Sequence, residues 1–288
     1  MKAIKISSLG SLACGLMVPL SMVVSAAPLN ERQAPNTVYP GNESQMTASQ
    51  NVTFWVLPID KAEAQKMAGY PLIQDTGLPK DVIPEGKHPL VFAAGYMYDI
   101  RQLGLRVDRL MAATTYLPFV DRLGNGTPFQ KSVRSYLDQI IPPLVATLTQ
   151  FDDAEVAKFD PSDAAYKAVG DSLAYTVSQG IDNPVDGPGV LFPRFQAAYQ
   201  RAGGSSITAQ QYMDMVNQPY FAYLPTCKQT TWLFNESFAD PFFVQGQVQT
   251  YSPVTEETTI FDDVQGYSAT TEWISPAGLG SDCSTFSK

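Results

Sequence analysis

The residue pattern predicts a β-rich α+β fold in a single domain. Runs of β-branched and aromatic residues bounded by turn formers recur along the chain, as at residues 52–57 and 90–98. From Tyr220 onward, short runs alternate aromatic or β-branched residues with polar ones, the pattern of a half-exposed antiparallel meander. Helical spacing is confined to a few short stretches between these runs.

Taken in order, the chain opens with Lys2 and Lys5, an apolar run from Leu9 to Val24, and a small-residue end at Ser25-Ala26. That is the layout of a secretory signal peptide over residues 1–26, so the protein is expected to be secreted. No later run has the length of a membrane span. Residues 27–50, with Pro28, Pro35, Pro40 and Gly41, read as a flexible arm. Residues 51–288 then form the β-rich domain. A strand is expected at 52–57 and a short helix at 60–67 with Asp60 as its cap. Residues 88–98 read as a buried strand, 105–113 as two helical turns and 114–120 as strand again. Asn125-Gly126 marks a turn. Residues 129–141 suit an amphipathic helix and leave a strand open. Residues 161–179 and 191–202 carry helix-compatible patterns. Thr208 is placed to cap a helix reaching Asn217. Strands are expected at 230–234, 242–251, 258–261 and 267–274.

The formal charge is −9 and no basic cluster occurs, which argues against nucleic acid and anionic membrane surfaces as partners. His88 is the single histidine, so multi-histidine metal sites are excluded and no metal is expected. No Gly-x-Ser-x-Gly elbow exists to pair with it. Once Cys14 leaves with the signal peptide, Cys227 and Cys283 remain, an even pair that suits one disulfide in an exported chain. Sequons at Asn42, Asn51, Asn125 and Asn235 are candidate glycosylation sites. Arg101 and Arg122 sit at the ends of apolar strands, where a guanidinium fork can hold a carboxylate or close a structural ion pair. Tyr96 and Tyr116 are candidates to line a pocket beside them. Trp232 and Trp273 are candidate aromatic platforms for carbohydrate, or core residues.

Three segments carry a family resemblance: His88-Pro-Leu-Val-Phe-Ala-Ala-Gly-Tyr96, Leu117-Pro-Phe-Val-Asp-Arg-Leu-Gly-Asn-Gly-Thr-Pro-Phe129 and Phe159-Asp-Pro-Ser-Asp-Ala-Ala-Tyr166. Together they resemble fungal secreted members of the acetoacetate decarboxylase-like superfamily. The resemblance implies a predominantly antiparallel β-barrel or cone, helices packed outside, and an interior pocket for a small apolar or carboxylated organic molecule. It also implies lyase chemistry without a cofactor, through a lysine Schiff base. The family's enzymes commonly present two adjacent lysines, and this chain has no Lys-Lys pair. Lys131, just after Thr127-Pro128-Phe129, is the apolar-flanked lysine nearest that role. A non-catalytic ligand-binding or carbohydrate-interacting protein is the alternative. The sequence leaves the oligomeric state open.

Overall fold

The computed structural model describes residues 35–139, 154–180, 191–223, 225–234, 239–278 and 280–287. The signal-peptide segment and Asn235 lie outside them. Four long strands come first or nearly so: β1 (Met46–Asp60), β2 (Lys87–Gln102), β3 (Leu105–Val120) and β4 (Phe129–Leu137). The short β5 (Ala154–Val156), β6 (Lys158–Asp160) and β7 (Lys167–Val169) precede β8 (Ser172–Gly180) and β9 (Leu191–Arg201). There follow β10 (Tyr220–Tyr223), β11 (Thr226–Lys228), β12 (Thr231–Leu233), β13 (Phe242–Tyr251), β14 (Thr258–Ser275) and β15 (Ser281–Asp282). Two helices, α1 (Lys61–Ala68) and α2 (Ala209–Val216), are inserted between strands.

The main ladder runs β15-β11-β10-β4-β3-β2-β1-β14-β13-β9-β8-β6, antiparallel at all but one step, where β10 runs parallel to β4. β1 lies in its middle, and every residue from Met46 to Leu57 is buried. Burial on both faces follows from alternation. Trp55, Leu57 and Ile59 point to one core, and Val52, Phe54 and Val56 point to another. The first core lies on the concave side. There Phe92 of β2 stacks on Phe195 of β9 at 3.5 Å between ring centroids, and Trp55 meets Tyr199 edge-on at 4.7 Å. Those strands are four places apart in the ladder, so the sheet curls to bring them face to face. The second core is covered by α2 through Tyr212, Met215 and Val216.

The curl is not a hydrogen-bonded barrel. β5 pairs with β4 and β6 pairs with β8, so residues 154–160 pass from one edge to the other without a continuous ladder. The sheet-dominated α+β reading therefore stands, and among the described residues the ladder does not close into the barrel or cone that the resemblance implies.

Several elements differ from expectation. Residues 105–113 are strand, because β2 and β3 form one long hairpin turned at Leu103 and Gly104, both at positive φ. Residues 129–137 are strand, not helix, and β8 and β9 replace helix-compatible patterns. Phe195 and Tyr199 are spaced for either a helix face or every second residue of a strand. Pairing with β8 and β13 decides for strand. α1 and α2 lie where expected. Thr208 makes a full capping box with Gln211, whereas the Asp60 side chain turns to Lys87 at 2.8 Å and caps nothing.

The strand expected to open at Val52 opens at Met46, inside the stretch read as a flexible arm. The residues just before it are also tied down. Glu272, fully buried in β14, accepts hydrogen bonds from the Thr37 and Val38 amides and the Thr37 hydroxyl. Asn36 Nδ2 donates to the Asp99 carbonyl at 2.7 Å. Buried carboxylates need such donors, and here backbone supplies them. Among the sequons, Asn51 is 6% exposed in mid-strand, so it has no room for a glycan, while Asn125 is exposed and Asn42 half-buried. Cys227 and Cys283 form the expected disulfide, which ties the last described residues to β11.

His88 is buried, and its Nε2–H donates to the Pro118 carbonyl at 2.9 Å. Burial lowers its pKa to about 4, with smaller opposing and reinforcing effects from Pro118 and Lys61. The unfolded chain takes up this proton near the ordinary 6.5, above the native value. Its contribution is thus fully present above that point and is lost as the pH falls toward 4. We expect about 3 kcal/mol of stability to disappear across this window on account of His88. Urea denaturation of the wild type and His88→Gln at pH 7 and pH 4 checks this: the variant should lose markedly less on acidification.

Candidate functional site

Strand β4 carries a bulge that decides which residues share a site. Lys131 pairs with Leu117 and Ser132 with Tyr116, but the next pair is Arg134 with Thr115. Val133 is the extra residue. Plain alternation would put Lys131 and Arg134 on opposite faces. The bulge places Lys131, Arg134 and Tyr136 on the concave face together, opposite Leu117, Thr115 and Ala113. β9 has a second bulge, with Arg194 unpaired between Pro193 and Phe195.

These side chains meet at one end of the concave face. Arg134 forms an ion pair with Glu155 of β5, both side chains being less than one-quarter exposed. Arg194 lies 4.2 Å over the Tyr251 ring and donates from Nε to Gln179 at 2.8 Å. Tyr136 lies among them. Its phenol pKa is raised to about 12, chiefly by burial, and Arg134, Glu155, Arg194 and Tyr251 all act on it. It therefore stays a neutral hydroxyl at any physiological pH. Lys131 donates from Nζ to the Met67 carbonyl at 3.0 Å.

A cleft of about 90 Å³ opens beside this cluster, between the end of β1, α1 and the β13–β14 hairpin. Three of its lining residues connect directly to the cluster. Met67 accepts from Lys131, Tyr251 lies under Arg194, and Thr115 is the cross-strand partner of Arg134. Glu63 also lines the cleft and is held by the Ser252 hydroxyl, while Asp60 at the rim is paired with Lys87. Lys131, Arg134, Arg194 and Tyr136 are joined to this cleft through Met67, Thr115 and Tyr251 and do not themselves line it; the charged residues of the lining are Asp60, Glu63 and Lys87. Farther in, the concave face is filled by the Phe92–Phe195 and Trp55–Tyr199 contacts.

The other residues singled out from sequence go elsewhere. Arg101 pairs with Asp99 at 2.9 Å and lies over the Tyr39 ring, a structural role at the far end of β2. Arg122 is held between the Tyr70 and Phe221 rings, donating to the Tyr70 hydroxyl at 2.7 Å and to Cys283 Sγ at 3.1 Å. Neither arginine lines the cleft. Tyr96 belongs to the concave core, and Tyr116 faces the opposite side of the sheet. Trp273 is buried and Trp232 half-buried against it, at 6.2 Å between rings, so they form no exposed platform. Arg134, Glu155, Arg194, Tyr136 and Tyr251 were missed. Pro193 inside a strand was the one local signal, since proline in a sheet marks an edge or a bulge.

Among the described residues no group of three His, Cys, Asp or Glu side chains is placed to hold a metal ion, and no helix is long and apolar enough to cross a membrane.

No family model and no curated protein matches the chain. Solved structures do show a likeness. The acetoacetate decarboxylase from Legionella pneumophila aligns at 12% identity over 87% of this chain and 99% of its own, with a TM-score of 0.49. An acetoacetate decarboxylase-like enzyme from Sphingomonas wittichii aligns at 9% identity over 83% and 94%, with a TM-score of 0.44. The enduracididine biosynthesis enzyme MppR aligns at 12% identity over 81% and 86%, with a TM-score of 0.43. At these values the likenesses carry no argument about chemistry, which rests on the site itself.

The Arg134–Glu155 pair gives a stability test. Glu155→Gln leaves the half-buried guanidinium without its counter-charge, and we expect a loss of about 2 kcal/mol in urea denaturation at pH 7.

Proposed function

We propose that this protein is a secreted pocket protein that binds a small carboxylate-bearing organic molecule at the end of the concave face. The observation that carries the reading is the placement of Lys131, Arg134, Arg194 and the neutral Tyr136 phenol next to one cleft, joined to it through Met67, Thr115 and Tyr251. Arg194 and Tyr136 would hold the carboxylate, since a guanidinium and a phenol both donate to it. Arg134 is engaged by Glu155 and adds field, not a free fork. The N-terminal signal pattern and the Cys227–Cys283 disulfide support export.

If the ligand is a keto acid, Lys131 is the amine that would react with it. Its Nζ donates to the Met67 carbonyl, and the residue lies on the same face as the arginines. Deprotonated, it would add to the ketone carbon and expel water, forming an imine. Lyase chemistry of the kind the sequence resemblance implies would proceed from there.

Borohydride trapping tests the proposal. Purified protein is incubated with pyruvate or acetoacetate, reduced, and weighed intact, with butyrate as a competing carboxylate. We expect one adduct per chain on Lys131, suppressed by butyrate, absent in Lys131→Arg and weakened at least tenfold in Arg194→Gln. Scattered labelling of exposed lysines, unaffected by butyrate, would overturn the imine. Calorimetric titration with butyrate then judges binding alone: no heat in the wild type overturns the carboxylate site as well.

A further inference from the structure

A second cavity lies on the opposite face of the sheet, and its chemistry is different. It occupies about 90 Å³ between the convex side of β1–β4 and β14 and the layer formed by α2, β10 and β12. Met46, Met97, Trp232 and Trp273 contribute to the apolar wall, and among the described residues no charged side chain lines it. The polar side chains in the wall are nearly all engaged with protein. Trp273 Nε1 donates to Gln50 at 3.1 Å, and Gln130 donates to the Val216 and Gln218 carbonyls. Tyr220 and Thr230 both meet the Ser275 hydroxyl, and Thr114 meets Ser135.

Tyr116 is the exception. It is 8% exposed, lines the cavity, and its phenol has no hydrogen-bond partner among the described residues. A phenol with no partner in the protein is free to pair with a ligand oxygen that enters the cavity. A carboxylate here would be buried without a counter-charge, which excludes anions. At about 10–15 Å³ of such space per water the cavity holds several waters, room for a molecule of about five heavy atoms.

We propose that this convex-face cavity is a binding site for a small uncharged oxygenated molecule, of the size of a four-carbon alcohol or ketone. Its oxygen accepts a hydrogen bond from Tyr116, and its hydrocarbon part packs on Met97 and the two tryptophans. The site shares no lining residue with the concave cleft and does not depend on the carboxylate reading.

Two of the chain's three tryptophans line this cavity, so their emission reports on it. The probe is 2-butanol, with butyrate as the charged counterpart. We expect a saturable change in tryptophan emission with 2-butanol and none with butyrate. Tyr116→Phe, which removes a single oxygen atom, should weaken binding about fivefold. Ala112→Leu, which fills the cavity, should abolish it, with near-UV circular dichroism used to confirm that the variant is folded. Lys131→Arg should leave the response unchanged, which separates this site from the other. A non-saturating response, an equal response to butyrate, or an unaltered affinity in Tyr116→Phe would each overturn the proposal. If Ala112→Leu does not fold, the Tyr116→Phe comparison decides alone.

Discussion

Both faces of β1 have to be buried at once, and the rest of the architecture follows from that constraint. A strand whose residues are covered on each side, from Met46 to Leu57, needs a layer above and a layer below. With two short helices among the described residues, one layer is the sheet's own far half, curled over until Phe195 and Tyr199 of β9 reach Phe92 and Trp55. The other layer is α2 with the small strands around it. Curling is made possible where side chains are absent. An added Cβ on Gly246 would lie 2.2 Å from the Ala198 carbonyl oxygen, where β13 meets β9.

That two-sided arrangement produces two unlike pockets. The concave side ends in charge, held by ion pairing with Glu155 and stacking on Tyr251. The convex side is lined by thioethers, indoles and hydroxyl groups and excludes ions. A sheet one residue thick thus separates a polar cleft from a neutral cavity. Alternation along β3 is the divider: Thr115 serves the first and Tyr116 the second.

Most of the strands were legible because runs such as residues 52–57 and 242–251 have no competing reading. The errors fall where two periods fit the same residues. In 191–202, apolar positions four apart satisfy both a helix face and alternate strand positions, and only the neighbouring strands choose between them. Helices α1 and α2 were legible from their flanks, and Thr208 with Gln211 shows why, since a capping box is a local device. The concave site was legible only at Lys131. Its companions come from β4, β5, β9 and β13, and no local pattern announces contacts that a curled sheet makes. Arg101 and Arg122 looked equally suited to a substrate, yet aromatic rings and nearby acceptors had claimed them.

The extra residue in β4 also bears on how such a chain can change over generations. Substitutions near Lys131 alter the site by degrees, but loss of the single codon for Val133 would restore strict alternation across the segment. With Ser132 opposite Tyr116, Arg134 would still pair with Thr115 and Ser135 with Thr114, so both faces would keep their residues. Related chains are therefore best compared at this position by length before identity: one that lacks the inserted residue would carry its basic side chains on the same face, with Lys131 and Arg134 one residue closer along the strand.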